Sequence, residues 1–175
     1  MISRVLPLIL LLSFIPFASA HASETHLTAD LEGLLGGSAG SWTSVSLQPS
    51  VGLLPAITSC TNGICWGGAL PIRGAKWSTG SVTTIMPSAR IGLDGLFSSR
   101  GDGKGLGGYA NLDLGYVLSI GGDATVAGLG FSVNAGLRFW FTPTVAVSAG
   151  LGASGSPYAP LLQVPIVSGG MAFTL

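Results

Sequence analysis

The stretch FSVNAGLRFWFTPTVAVSAGLGASG, from Phe131 to Gly155, decides the fold. It holds two runs of alternating residues on either side of the pair Thr142-Pro143. The apolar positions of the first run are Phe131, Val133, Leu137, Phe139 and Phe141, and the opposite positions are Ser132, Asn134, Gly136, Arg138 and Trp140. Alternation with a period of two indicates β-strands with two different faces. The stretch therefore predicts a hairpin whose polar face is too poor in charge for an ordinary wetted surface.

The composition of the whole chain points the same way. Its 175 residues suit one domain. Charged residues make up 8% of the chain, far below the roughly 25% of soluble domains, and the mean hydropathy is +0.63. Seven basic and seven acidic side chains give a net charge of +0. We therefore expect no electrostatic footprint for a nucleic acid, and no nucleic-acid partner.

Residues 1–20, MISRVLPLILLLSFIPFASA, have the layout of a secretory signal peptide. Arg4 precedes an apolar stretch from Val5 to Phe17, and the small residues Ala18 and Ala20 follow. The apolar stretch is shorter than the roughly 20 residues that a spanning helix needs. We predict that residues 1–20 are cleaved after export through the Sec pathway and that 21–175 form one domain. An uncleaved N-terminal anchor is the alternative.

Alternation recurs in six further segments, of which 64–77 is the weakest. They are 25–35, 44–54, 64–77, 84–99, 108–120 and 167–175. With the two runs of the opening stretch they make eight strands. Single-chain bacterial outer-membrane barrels have an even number of strands with short turns on the periplasmic side. Thr142-Pro143 falls between the sixth and seventh strands, where such a turn belongs.

The distribution of polarity favours a barrel that is reversed relative to a soluble one. A soluble sheet turns its apolar face inward and covers its outer face with charges, whereas the polar face here is mostly Ser, Gly, Asn and Thr. In a membrane barrel the apolar face meets lipid and small polar residues fill the narrow bore of eight strands. Charges of both signs lie on that polar face: Asp30, Glu32, Arg90, Asp94, Asp113 and Arg138. Paired, they would form a hydrogen-bonded plug in the lumen.

Aromatic residues lie near several predicted strand ends. They are Phe97, Phe139, Phe141 and Phe173. Membrane barrels carry aromatic girdles at both membrane boundaries, so we interpret these four as girdle residues. Ordinary core aromatics at strand ends are the alternative.

Together, the signal peptide, the eight amphipathic strands, the segment GLRFWFTP (136–143) and the alternating terminal strand resemble the small outer-membrane β-barrel family. That family includes the OmpX-like, OmpW-like and OmpA membrane-domain barrels. The resemblance implies an all-β, closed, antiparallel up-and-down transmembrane barrel in the outer membrane of a Gram-negative bacterium. It also implies contact with outer-membrane lipid and with the barrel-assembly machinery, which in this family recognises a terminal aromatic residue. Here the chain ends on Leu175, with Phe173 two positions earlier.

Chemical motifs are few. Cys60 and Cys65 flank the Asn62-Gly63 turn in a chain predicted to enter an oxidising compartment, which favours a loop disulfide. Their spacing and the two histidines of the mature chain do not suit a metal site. The segment GDGKGLGG (101–108) lacks the pattern of a phosphate-binding loop. We therefore expect no cofactor and no metal.

We also expect no enzyme activity. Some outer-membrane barrels are lipid hydrolases, and His26 and Glu24 lie close together in the sequence. No nucleophile motif accompanies them, so no catalytic site is assigned.

The leading hypothesis is an integral outer-membrane barrel with a structural, adhesive or surface-interaction role, rather than a wide pore. Two alternatives stay open: a small porin-like pore or carrier for apolar or small solutes, and a secreted soluble barrel that binds an apolar ligand. The strand registers are open near four prolines, where we expect bulges or strand ends. They are Pro49, Pro55, Pro87 and Pro165.

Overall fold

A computed structural model describes residues 26–39, 48–77, 80–99, 104–121, 124–156 and 161–174. The predicted signal peptide, residues 1–20, lies outside this part of the chain. The regular secondary structure of the described residues is entirely β. The strands are β1 (His26–Ala39), β2 (Gln48–Thr61), β3 (Ile64–Ala69), β4 (Ile72–Trp77), β5 (Gly80–Ile85), β6 (Ser88–Ser99), β7 (Gly105–Gly121), β8 (Ala124–Thr142), β9 (Val145–Ser156) and β10 (Leu161–Thr174). No candidate membrane-spanning helix is found among these residues.

The ten strands form eight continuous spans. Leu70-Pro71 alone separates β3 from β4, and Met86-Pro87 alone separates β5 from β6, so each pair makes one span. The spans are numbered one to eight in chain order, with β3/β4 as the third and β5/β6 as the fourth. Each span pairs antiparallel with the next, and β1 pairs with both β2 and β10. The sheet is thus a closed up-and-down ring, which confirms the predicted fold class and the weaker strand at 64–77.

The ring has two ends. At one, here called the terminal end, β1 begins, β10 finishes and the turns at 62–63 and 143–144 lie. At the other, here called the loop end, the segments 40–47, 78–79, 122–123 and 157–160 connect consecutive spans. Thr142-Pro143 lies between the sixth and seventh spans, as the alternation predicts.

Three of the four prolines lie at a strand end or a register shift, as expected, and the fourth does not. Pro87 separates β5 from β6, and Pro165 lies where the register of β10 shifts between Gln163 and Ile166. Pro49 is the second residue of β2. Pro55, by contrast, lies inside β2. Its carbonyl accepts a hydrogen bond from the Leu70 N–H at 2.9 Å. A proline lacks only the donor of a ladder pair, so this position tolerates it.

The two faces are reversed relative to a soluble barrel. Large apolar side chains cover the outside; Leu137 is 53% exposed and Leu151 is 63% exposed. Inside, the buried polar and charged side chains include Asp30, Arg90, Asp113, Ser132, Asn134, Arg138 and Ser168. Two small apolar clusters interrupt this polar interior: Leu54, Ala56, Ala69 and Ile166, and Trp140, Ala146 and Ala172. The polar alternate positions therefore form a packed lumen.

Candidate functional site

The most connected group in the lumen is centred on Arg138. Its guanidinium donates to Asp30 at 2.7 Å and to Asp94, and the Arg138 side chain is 3% exposed. The three residues come from β8, β1 and β6, and neither carboxylate lies on a strand next to β8. The two ion pairs therefore cross the lumen and join three sides of the ring.

A second ion pair lies along the wall. Arg90 on β6 and Asp113 on β7 are direct partners in the ladder. Arg90 donates from Nε and from a terminal nitrogen to the two oxygens of Asp113, at 2.6 and 2.9 Å. Such two-point, charge-assisted hydrogen bonding is stronger than a single neutral hydrogen bond. Both side chains are almost fully buried.

Arg73 is a third lumen arginine, which the sequence analysis did not single out. It extends from the third span to the opposite side of the ring, where it donates to the hydroxyls of Ser154 and Ser132. The signal was present in the alternation, because Arg73 shares the odd-numbered face of its span with the buried residues Cys65 and Ala75. Because Leu70-Pro71 interrupts the strand, the alternation before the break could not be extended to Arg73 from the sequence alone.

Aromatic and amide groups complete the filling. The guanidinium carbon of Arg138 lies 5.0 Å from the ring centre of Tyr109 and 5.9 Å from that of Trp140. Such cation–π contacts stabilise a desolvated arginine. Further across the lumen, the Asn134 amide donates to the Ser168 hydroxyl at 3.3 Å. Side chains from the fifth, sixth and eighth spans thus fill this part of the lumen.

The described lumen residues give a balanced and nearly closed interior. Among them, Arg73, Arg90 and Arg138 face Asp30, Asp94 and Asp113, so the formal charges cancel. Glu32, the remaining predicted member, lies two residues beyond Asp30, and its side chain is outside the described part. A cavity of about 20 Å³ touches Arg73 and Ser154, which is room for about one water molecule.

Three of the four predicted girdle residues lie outside the barrel near its terminal end. Phe139 and Phe141 are 43% and 49% exposed, and their rings pack edge to face with centroids 4.9 Å apart. Phe173 is also exposed. The side chain of Phe97 lies outside the described part of the chain.

Cys60 and Cys65 form a disulfide at the terminal end. They are direct partners across β2 and β3, and Asn62 and Gly63 have φ values of 52° and 79° between them. Positive φ at both positions defines the type I′ turn that suits a two-residue hairpin. Both cysteines are buried in the lumen, so the bond joins two strand ends rather than two points of a free loop. No group of three or more metal-ligating side chains occurs among the described residues.

Comparison with known proteins gives likenesses in structure alone. No family model and no curated protein sequence matches the chain. Neisserial surface protein A matches with a TM-score of 0.62 and 16% identity, over 89% of this chain and 99% of that one. A second match is the crystal structure of Ail, the attachment invasion locus protein of Yersinia pestis, in complex with the heparin analogue sucrose octasulfate. Its TM-score is 0.54 at 13% identity, over 89% of this chain and 100% of that one.

The N-terminal β-barrel domain of Pseudomonas aeruginosa OprF gives a third match. Its TM-score is 0.51 at 16% identity, over 87% of this chain and all of that domain. Because all these identities are low, the matches concern the fold: the chain has the architecture of the small outer-membrane barrels.

Proposed function

We propose that this chain, which has the fold of the small outer-membrane β-barrels, is an integral outer-membrane protein with a structural or surface-interaction role and a closed lumen. The observation that carries the proposal is the reversal of the two faces. Leu137, Leu151 and Trp66 are each more than half exposed on the outside. In water such a surface would drive aggregation, whereas in a bilayer it is the lipid-facing band that a transmembrane barrel requires.

The interior argues for a closed barrel. Arg138 links the first, fourth and sixth spans, and Arg73 reaches from the third span to the seventh. Opening a bore would separate buried ion pairs and leave charges without compensation. These contacts support a structural plug and argue against the alternative of a small pore or carrier.

The same interior argues against a soluble barrel with an apolar ligand. Such a protein needs an apolar cavity inside and a charged surface outside. Here the lumen carries charged groups such as Asp113 and Arg90, and the outer face is apolar.

A surface role would depend on the four segments at the loop end. Their sequences, residues 40–47, 78–79, 122–123 and 157–160, contain one charged residue, Asp123, and two aromatic residues, Trp42 and Tyr158. Loops carry most binding functions in folds of this kind. Ail was crystallised with a highly anionic ligand, but these segments contain no cation, and among the described residues Lys76 at the end of β4 is a single exposed cation beside them. We therefore infer that a partner would be neutral and partly apolar rather than a polyanion.

Fractionation of the producing cells tests the membrane proposal. We expect the mature chain in the outer-membrane fraction, soluble only with detergent, and migrating differently on gels before and after boiling. Recovery as a soluble periplasmic protein would contradict the proposal.

Planar-bilayer recordings test the closed lumen. We expect no stable conductance from the purified protein, and Arg138→Ala should produce one if its ion pairs hold the bore shut. Steady ion flow through the wild-type barrel would instead favour the pore alternative.

A further inference from the structure

Three prolines interrupt the barrel wall along one line. Pro55, Pro71 and Pro87 are spaced sixteen residues apart and lie in the second, third and fourth spans. The carbonyl of each accepts a hydrogen bond from the next span. The three bonds run from Leu70 N to Pro55 O at 2.9 Å, from Met86 N to Pro71 O at 3.0 Å, and from Tyr116 N to Pro87 O at 3.1 Å.

Each of these contacts is half of a normal ladder pair. Two residues that face each other in this way in an antiparallel sheet exchange two hydrogen bonds. Proline has no N–H and cannot return the second one. Three successive interfaces between spans therefore each lack a bond, and we call this line, Pro55, Pro71 and Pro87, the proline seam. In a membrane barrel, where wall stability rests on a fully paired backbone, spans separate more easily at the seam than where the ladder is fully paired.

Both sides of the proline seam are apolar. On the lumen side, Leu54, Met86 and Val117 are buried, at 1%, 4% and 4% exposure. On the outer side, Leu70 and Tyr116 are exposed, at 37% and 53%. The described residues that directly flank the seam therefore offer an apolar path to a hydrocarbon chain that passes between spans.

The cavity in the lumen begins directly behind the seam. Pro71, Met86 and Val117 line it on the side of the seam, and Arg73, Thr84 and Ser154 line it further inside. One wall is apolar, and the other carries hydroxyls around a single charged side chain, the guanidinium of Arg73. Gly130 adjoins this wall, where a side chain would overlap Val117 and approach the Met86 sulfur within 3.2 Å. A glycine there keeps the space beside the seam open.

We propose that the proline seam is a lateral entrance to a binding site for a single-chain amphiphile with an anionic head, of the fatty-acid class. The carboxylate binds the Arg73 guanidinium in place of its hydroxyl contacts with Ser154 and Ser132, since a guanidinium matches a carboxylate in fork geometry. The chain leaves the lumen past Pro71 and Met86 into the surrounding lipid. At about 20 Å³ the cavity must widen for the ligand, and the missing ladder bonds lower the cost of that widening. The inference rests on the proposed membrane location.

Photolabelling of the protein refolded in phosphatidylcholine vesicles tests the entrance. The probe is a saturated fatty acid with a diazirine near its carboxylate, and mass spectrometry locates the attached probe. We expect labels on the lumen residues Thr84, Met86 and Val117. Labelling confined to outer residues such as Leu70 and Leu129 would overturn the proposal.

A seam-closing variant tests the route. Pro55→Ala/Pro71→Ala/Pro87→Ala restores the three missing donors, so the barrel should stay folded while lumen labelling falls at least about tenfold. The matched control is Pro143→Ala, because Pro143 lies in an exposed turn at the terminal end, and its labelling should equal that of the wild type. Undiminished lumen labelling in the seam-closing variant would exclude this entrance.

The choice of an anionic head is tested with two probes of equal chain length. The fatty acid should label the lumen of the wild type at least about tenfold more than the corresponding long-chain alcohol, and Arg73→Gln should abolish that preference. Equal labelling by both probes in the wild type would refute the assigned head group. Heat-modifiable migration is recorded for every sample. If the protein inserts into the membrane but its lumen is not labelled, the proposed binding site is wrong. The proposed membrane function is unaffected by that result.

Discussion

Arg138 and Asp30 are 108 positions apart in the sequence, yet the guanidinium of one donates to the carboxylate of the other at 2.7 Å across the lumen. Arg138 also donates to Asp94 and lies against the rings of Tyr109 and Trp140. The first, fourth and sixth spans are thus tied to one side chain. A network of this kind can form only after the ring has closed, so it stabilises the closed barrel over partly assembled sheets.

Removing the cation alone should be strongly destabilising. Arg138→Met leaves Asp30 and Asp94 buried without a compensating charge, and the free energy of unfolding should fall by about 3 to 5 kcal/mol. Urea titration of the vesicle-inserted protein, followed by heat-modifiable gel migration, measures the change.

The neutral triple variant Asp30→Asn/Asp94→Asn/Arg138→Met is the matched control for that measurement. It removes all three charges, so it should regain most of the lost free energy, as neutral replacements of buried ion pairs often do. Equal stability of the single and triple variants would show that the carboxylates do not depend on Arg138.

Charge on the outer face should oppose insertion. Val133, at the middle of β8, is 41% exposed on that face, and Val133→Arg should cost about 2 to 4 kcal/mol near the middle of the bilayer. Thr144→Arg, in the exposed turn at the terminal end, provides the control and should insert normally. The folded fraction after refolding into vesicles measures both. Equal insertion of the two variants would place the outer face in water rather than lipid.

The faces of the barrel follow from the sequence because side-chain direction in a strand depends only on parity. Once FSVNAGLRFWF is taken as a strand, Leu137 and Arg138 must point to opposite sides. The low charge of the whole chain then decides which side is inside. The burial of Arg138 and the exposure of Leu137 agree with that assignment.

The partners within the lumen could not be predicted in the same way. Asp30 meets Arg138 because of the combined register of several spans and the curvature of the ring, and alternation contains neither. Arg73 was missed because Leu70-Pro71 breaks its span, and Pro55, Pro71 and Pro87 form a line only once the registers are known. Sequence patterns gave the direction of each side chain, whereas the contacts across the bore needed the closed structure.

Two glycines should differ sharply in their tolerance of a methyl group. A Cβ at Gly136 would overlap the carbonyl oxygen of Ala149 on the neighbouring span, whereas a Cβ at Gly74 would have nothing within 4 Å. Gly136→Ala should therefore cost about 1 to 3 kcal/mol through overpacking. Gly74→Ala should leave stability unchanged or raise it by up to about 1 kcal/mol. The same urea titration compares them, and equal effects would contradict the close approach of β8 and β9.

The disulfide should form before the barrel closes. Cys60 and Cys65 are 1% and 3% exposed, so neither a reductant nor an oxidising enzyme can reach the sulfurs in the folded protein. In the folded barrel we expect reduction by dithiothreitol to be at least about a hundredfold slower than in urea, because it must wait for opening of the structure. Alkylation and mass spectrometry count the free thiols.

An outward-facing bond on the same hairpin is the control for this last prediction. Thr61 and Ile64 are direct partners, and Ile64 is 55% exposed. Thr61→Cys/Ile64→Cys in a Cys60→Ala/Cys65→Ala background should therefore place a disulfide where reductant has access in detergent micelles. Rapid reduction of this bond beside slow reduction of the native one would attribute protection to the lumen. Equal reduction rates would mean that small molecules reach the lumen at the terminal end. The Cys60–Cys65 disulfide could then form after the barrel has closed, which would contradict the prediction.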